Sequence, residues 1–116
     1  MMINKVSEIT YNNLADYIRL DVTTQEEQHL LQTYLKIAKE YISNYTGIPI
    51  DSTDESVKTL DDYPDFIVVI YVLCQDMYDN RSMYVDAKNL NKVVETILNM
   101  HSRNNLWLMQ ESIIKK

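Results

Sequence analysis

The sequence predicts an all-α fold: a small bundle of four to five helices, with one long central helix and a C-terminal tail. Three observations carry that expectation. The 116 residues include one Gly and two Pro, too few for the many tight turns of a sandwich or barrel. Apolar residues recur at helical period in four separate segments. Helix-capping residues stand at the ends of most of those segments. The expected organisation is a helical domain over 1–101 and a tail over 102–116.

The first helix is expected from Thr10 to Leu20. Thr10 suits the N-cap, where its hydroxyl accepts an exposed amide proton. Ile9 and Leu14 have hydrophobic-staple spacing, and Leu14, Tyr17 and Ile18 make one stripe. Asp21-Val22-Thr23 then forms a short connection. The second helix runs from Thr24 to Thr46. Thr24-Gln25-Glu26-Glu27 matches a capping box, in which Thr24 and Glu27 each satisfy an exposed amide. Leu30, Leu31, Tyr34, Leu35, Ala38, Tyr41, Ile42 and Tyr45 follow at helical period. Gly47 closes the helix in a left-handed conformation, and Pro49 blocks continuation. At 1.5 Å per residue this element is about 34 Å long, the span of a small domain.

Residues 48–62 are expected as a loop, with a short helical turn around Ser56 to Leu60. The third helix starts near Pro64 and ends near Asp79. Phe66, Val69, Ile70, Leu73 and Met77 share one side, beside Cys74, while Val68, Tyr71 and Val72 make the other side apolar as well. All-round apolarity marks the centre of a core or a surface covered by another subunit. The β-branched run FIVVIYVLC also suits a buried strand, but no partner strand is evident, which favours the helix. After a loop from Asn80 to Val85, Asp86 is expected to cap a fourth helix carrying Leu90, Val93, Val94, Ile97, Leu98 and His101. That helix ends over Ser102 to Asn105. The tail then gathers Leu106, Trp107, Leu108 and Met109, followed by Ile113 and Ile114. Too little chain remains to cover these side chains, so they are expected to bind a partner.

Charge and composition exclude several classes. The net charge is −6. Residues 1–87 hold six Lys/Arg against fifteen Asp/Glu, a balance of −9. Residues 88–116 hold Lys88, Lys92, Arg103, Lys115 and Lys116 against two Glu, a balance of +3. Displacing counterions from duplex phosphate needs clustered positive charge, which this chain lacks outside its last third. A single Cys excludes an internal disulfide and zinc sites built on paired cysteines. The longest apolar run, Phe66 to Cys74, is far shorter than the about 20 residues of a membrane span. The opening MMINKVSEIT lacks a signal-peptide core. The expectation is a soluble domain in a reducing, intracellular setting, with no membrane partner.

Residues able to carry catalysis are few. Cys74 with His29 or His101 would be the one thiol–imidazole pair, yet an apolar run blunts a thiol. His29 is expected to be exposed and His101 to pack. No HExxH motif occurs, and one Gly cannot build a phosphate cradle. Asp51, Asp54 and Glu55 lack the central Gly and spaced final Glu of a calcium loop, so Asp51 to Asp65 is expected as a solvated acidic stretch. Asp61 and Asp62 are expected to face solvent. Asp76 and Asp79 share a helix face, where Arg81 is expected to pair with one of them. The sequence therefore predicts no catalytic residue, no cofactor and no metal. The nine tyrosines fit two uses equally: amphipathic rings that fill a core, or interface residues.

The segments SEITYNNLADYIRLD and TTQEEQHLLQTYLKIAKEYISNYTGI, then YPDFIVVIYVLCQDMYDNRSMYVD and LNKVVETILNMHS, together resemble bacteriophage head–tail connector proteins. These are small helical head-completion or adaptor proteins, also labelled DNA-packaging proteins. The resemblance spans residues 6–101; AKEYISNYTG and MYDNR are its most distinctive phrases. It implies a non-enzymatic, homo-oligomeric ring beneath the portal vertex. Such a ring extends the DNA channel, passes DNA without binding it specifically, and meets a downstream neck or tail protein. It implies assembly in the host cytoplasm and a final place at the head–tail junction of the virion. It also implies a C-terminal segment, here Leu106 to Ile114, that reaches toward the portal, and a loop-fixing role for Asn80 and Arg81.

The residues leave two other classes open. One is a helical adaptor or regulator of a mobile element that uses its tail as a partner helix. The other is a DNA-associated packaging factor acting through its C-terminal basic residues.

Overall fold

The structure is a computed structural model that describes residues 5–102. Its elements are α1 (Tyr11–Ile18), α2 (Gln25–Thr46), α3 (Phe66–Asn80) and α4 (Lys92–Met100). A 3-10 turn, Val6–Glu8, precedes α1; two more, Leu60–Asp62 and Ala87–Asn89, lie between α2 and α3 and between α3 and α4, and the described residues contain no strand. The all-α expectation, with one long central helix, holds. The tail residues Leu106, Trp107, Leu108, Met109, Ile113 and Ile114 lie outside the described residues.

Local chemistry sets the helix ends. Thr10 Oγ1 accepts the Asn13 amide, and Asn13 Oδ1 accepts the Thr10 amide in return. Thr24 Oγ1 accepts the Glu27 amide at 3.1 Å. The Glu27 carboxylate takes the hydroxyl protons of Thr23 and Thr24. The expected reciprocal box at Thr24 is thus half formed, because Glu27 is engaged by two nearer hydroxyls. Gly47 ends α2 at φ 79°, its amide donating to Ser43 O at 2.9 Å. Arg19 and Arg81 end α1 and α3 in the same left-handed region, at φ 59° and 54°. In each case the next amide reaches back five residues, Leu20 to Ala15 and Ser82 to Met77, a pattern that satisfies the last carbonyls of a helix.

Two boundaries differ from expectation. Pro64 lies in a turn ahead of α3 and not in its first turn; Phe66 and Ile67 donate to Tyr63 O and Pro64 O. Asp86 caps the 3-10 turn Ala87–Asn89, accepting the Lys88 amide and the Asn89 side-chain NH2. Leu90 then extends the chain (φ −61°, ψ 140°), so α4 needs a new cap, which Asn91 provides by accepting the Val93 amide at 2.8 Å. The turn expected at Ser56 to Leu60 forms instead at Leu60–Asp62, where Asp62 accepts the Thr59 amide.

α2 is the spine and packs against α1, α3 and α4, most extensively against α3. Its buried face, Leu31, Tyr34, Leu35, Ala38 and Ile42, joins Leu14 and Ala15 of α1. Phe66, Val69, Ile70, Leu73 and Met77 of α3 and Val94 and Leu98 of α4 complete the core. Burying each large aliphatic side chain contributes about 1.5–3 kcal/mol. The loop after α2 is anchored at both ends, with Ile48 and Leu60 buried and the Leu60 amide donating to Pro49 O. Residues 51–58 between them are exposed. Thr46, also buried, donates to Ile42 O and accepts the Ile48 amide, so its hydroxyl is satisfied.

Candidate functional site

The residues with reactive chemistry do not converge. Cys74 is buried, and desolvation pushes its thiol up to about 12; it is protonated at neutral pH and is not a nucleophile there. His29 is exposed near the start of α2. His101 packs as expected, its ring against Tyr63 and edge-on to Phe66. It also makes a contact that was not expected: its Nε2 lies 2.7 Å from Asp65 Oδ2. Among the described residues no three His, Cys, Asp or Glu are grouped to hold a metal ion. None of the described helices is long and apolar enough to cross a membrane.

Several acids behave otherwise than expected. Asp61 does not simply face solvent. Its two carboxylate oxygens accept the Ser7 amide and the Ser7 hydroxyl, each at 2.8 Å, clasping the first 3-10 turn to the second. Asp62 turns back onto the Thr59 amide. Arg81 makes no ion pair with Asp76 or Asp79; its guanidinium lies over the Tyr78 ring, 5.8 Å from the centroid. The left-handed backbone at Arg81 directs its side chain toward Tyr78. Asp76, left without that cation, is held above the usual carboxylate range by desolvation and by Asp79. Asn80 is the last residue of α3, and its side-chain NH2 donates to Asp76 O.

What the fold leaves uncovered is apolar surface. α3 buries one side only: Val68 is 48% exposed, and Tyr71 and Val72 are half-buried. The all-round apolar helix is therefore not enclosed by the described chain. Tyr71 stacks on Tyr17 of α1, centroids 4.9 Å apart and planes within 8°. Fourth-helix residues Val94 and Leu98 face inward, whereas Val93 (57%) and Met100 (66%) are exposed and Ile97 is half-buried. Val93, Ile97 and Met100 follow a four- then three-residue spacing, so they form a second stripe on the helix. Met83 and Tyr84 are exposed in the loop between α3 and α4. Tyr34 lies in the core, whereas Tyr17 and Tyr84 are exposed.

A groove of about 560 Å³ lies between the start of α1 and the middle of α2. Ile9, Tyr11, Leu35 and Ile50 give it an apolar floor, and Lys36, Lys39 and Glu40 stand along it. Sequence reasoning missed this groove. Its residues come from three separate segments, and their shared position depends on how α1 and the residue-50 loop pack on α2. The one local hint is the pair of lysines three apart on α2 in an otherwise acidic stretch.

Comparisons of the chain with protein-family models, with curated proteins and with solved structures found no match.

Proposed function

We propose that this protein is a structural subunit of a bacteriophage head–tail connector, a ring beneath the portal that continues the DNA channel and joins head to tail. The observation that carries the reading is apolar surface left over after the core is complete. Val68, Val93, Met100 and Tyr84 are exposed on a body whose own core is already buried. On this reading these side chains are contact points for neighbouring copies. A ring subunit needs them on more than one flank, because each copy meets two neighbours.

Charge supports the same use. The acidic balance of residues 1–87 suits a channel wall that repels phosphate and lets duplex DNA pass. The ordered resemblance over 6–101 supplies the viral setting, and with it the portal and a neck or tail protein as partners. The protein acts by assembly, without a catalytic step, and Leu106 to Ile114 supplies a further docking segment.

The test is electron microscopy of the purified chain alone and mixed with portal rings. Rings stacked coaxially on the portal are the expected result. A chain that stays monomeric and ignores portal at all concentrations rejects the reading.

A further inference from the structure

We infer that Tyr17 and Tyr71 form an oxidative cross-linking site, at which a one-electron oxidant joins the two rings by a carbon–carbon bond and ties α1 to α3. Both residues belong to one molecule, so the chemistry does not depend on whether copies assemble.

The two rings are stacked, with centroids 4.9 Å apart and planes within 8°. At a carbon–carbon contact distance of about 3.5 Å, that separation leaves a sideways offset of about 3.4 Å. An edge of each ring therefore overlies the other, and ring carbons meet at contact distance. Offset stacking of this kind is the favoured arrangement of two aromatic rings.

Exposure favours the same pair. Tyr17 is 44% exposed, so a diffusing oxidant reaches it. Tyr71 is half-buried. Desolvation, and then the Asp16 carboxylate, hold its phenol above the ordinary value of 10.0, so Tyr17 is the first ring to react. Electron exchange across the stack then carries the oxidation to Tyr71.

The oxidant is a peroxide acting through a haem peroxidase. It removes one electron and one phenolic proton from each ring. One peroxide molecule takes up both electrons and both protons and becomes two waters. The two phenoxyl radicals carry unpaired electron density on the carbons ortho to oxygen. One bond forms between two such carbons, and the hydrogen on each moves to its oxygen, which restores both phenols. The net change is the loss of two hydrogens.

The other tyrosines are less well placed, and all nine lie in the described residues. Tyr41 and Tyr45 are neighbours too, but their centroids are 5.9 Å apart and their planes are tilted by 44°. The Tyr45 hydroxyl is also engaged, donating to Asn99. Tyr84 is exposed in the loop between α3 and α4. It is available for coupling between molecules, which dilution suppresses.

The link has a structural consequence. α1 has eight residues, too few to persist as a helix without its packing. A covalent bond from Tyr17 to Tyr71 holds it on α3 and closes a long loop of chain, which restricts the unfolded state.

The test treats the dilute full-length chain with hydrogen peroxide and a haem peroxidase. A monomer with dityrosine fluorescence and a raised urea midpoint is the expected product. Trypsin releases Tyr17 in peptide 6–19 and Tyr71 in peptide 59–81. The two peptides are expected to be joined at two hydrogens below their summed mass, and fragmentation should place the bond at Tyr17 and Tyr71. Tyr17→Phe and Tyr71→Phe each keep a ring in the stack but lack the phenol. Each is expected to abolish the link, while Tyr84→Phe leaves it intact. Circular dichroism checks that the variants remain helical. A link confined to Tyr41 and Tyr45, coupling only between molecules, or a chain whose tyrosines stay unjoined would overturn the inference. So would a joined peptide pair that persists in Tyr17→Phe.

Discussion

His101 Nε2 lies 2.7 Å from Asp65 Oδ2, joining the residue that ends α4 to the residue that begins α3. Asp65 stands at the N-cap of α3 but makes no side-chain cap bond, because its carboxylate is turned to His101. A negative group there still favours the positive end of the helix. The His101 ring fills the angle between Tyr63 and Phe66. One side chain thus ties the end of α4 to the start of α3.

His101→Ala is expected to destabilise the domain by about 1–3 kcal/mol, from lost ring packing and a lost hydrogen bond. Asp65→Ala should cost less, since Asp65 is more exposed. A double-mutant cycle by urea denaturation is expected to show coupling of about 0.5–2 kcal/mol. Additive losses would mean that the two groups do not interact in solution.

Cys74 should resist thiol reagents in the native state and react only on unfolding. Its folded-state pKa, about 12, lies above the ordinary value of 9.0. Tyr34, Tyr41 and Tyr71 are also raised by desolvation. Above pH 9 the unfolded chain loses these protons while the folded chain retains them, so stability falls as pH rises. Denaturation midpoints measured from pH 8 to 11 should decline, and Cys74→Ala should lessen the slope. A flat profile would show that these groups are not desolvated.

The left-handed caps predict opposite effects for two substitutions. Gly47→Ala forces a Cβ into φ 79° and should cost about 1 kcal/mol. Arg19→Gly relieves the same strain at φ 59° and should be neutral or stabilise by up to about 1 kcal/mol. Thermal unfolding of both variants checks the signs.

The clasp between Ser7 and Asp61 should be cooperative with the core beneath it, since Val6 and Leu60 beside it are buried. Asp61→Ala removes two acceptors at once, both on one carboxylate, and should cost about 1–3 kcal/mol. Ser7→Ala removes only the hydroxyl bond and should cost about 1 kcal/mol. Amide exchange at Ser7, slow in the native chain and fast in Asp61→Ala, reports the clasp directly.

Arg81 shows why helix-face reasoning is safest inside a helix. From spacing alone it lies within reach of Asp76 and Asp79. Its own residue, however, ends the helix in a left-handed conformation, which sends the side chain over Tyr78. Asp86 teaches the same lesson. It is a capping residue in the right chemical sense, but it caps a 3-10 turn one step ahead of α4.

The sequence by itself determined the helices, their order and most of their ends. Those features depend on period, on caps three residues apart, and on the single Gly, all of which act within one or two turns of chain. It also determined that Cys74 is buried and inert, since Cys74 sits within an apolar run. Tertiary structure alone decided that His101 meets Asp65 36 residues away and that Ser7 meets Asp61 54 residues away. It likewise decided which apolar residues stay outside: Val93 and Val94 are adjacent, yet one is exposed and the other buried. The groove at Ile9, Leu35 and Ile50 is of this second kind. Such features follow from how rigid helices settle against one another, and that angle is set by the summed packing of the core, not by any local run of residues.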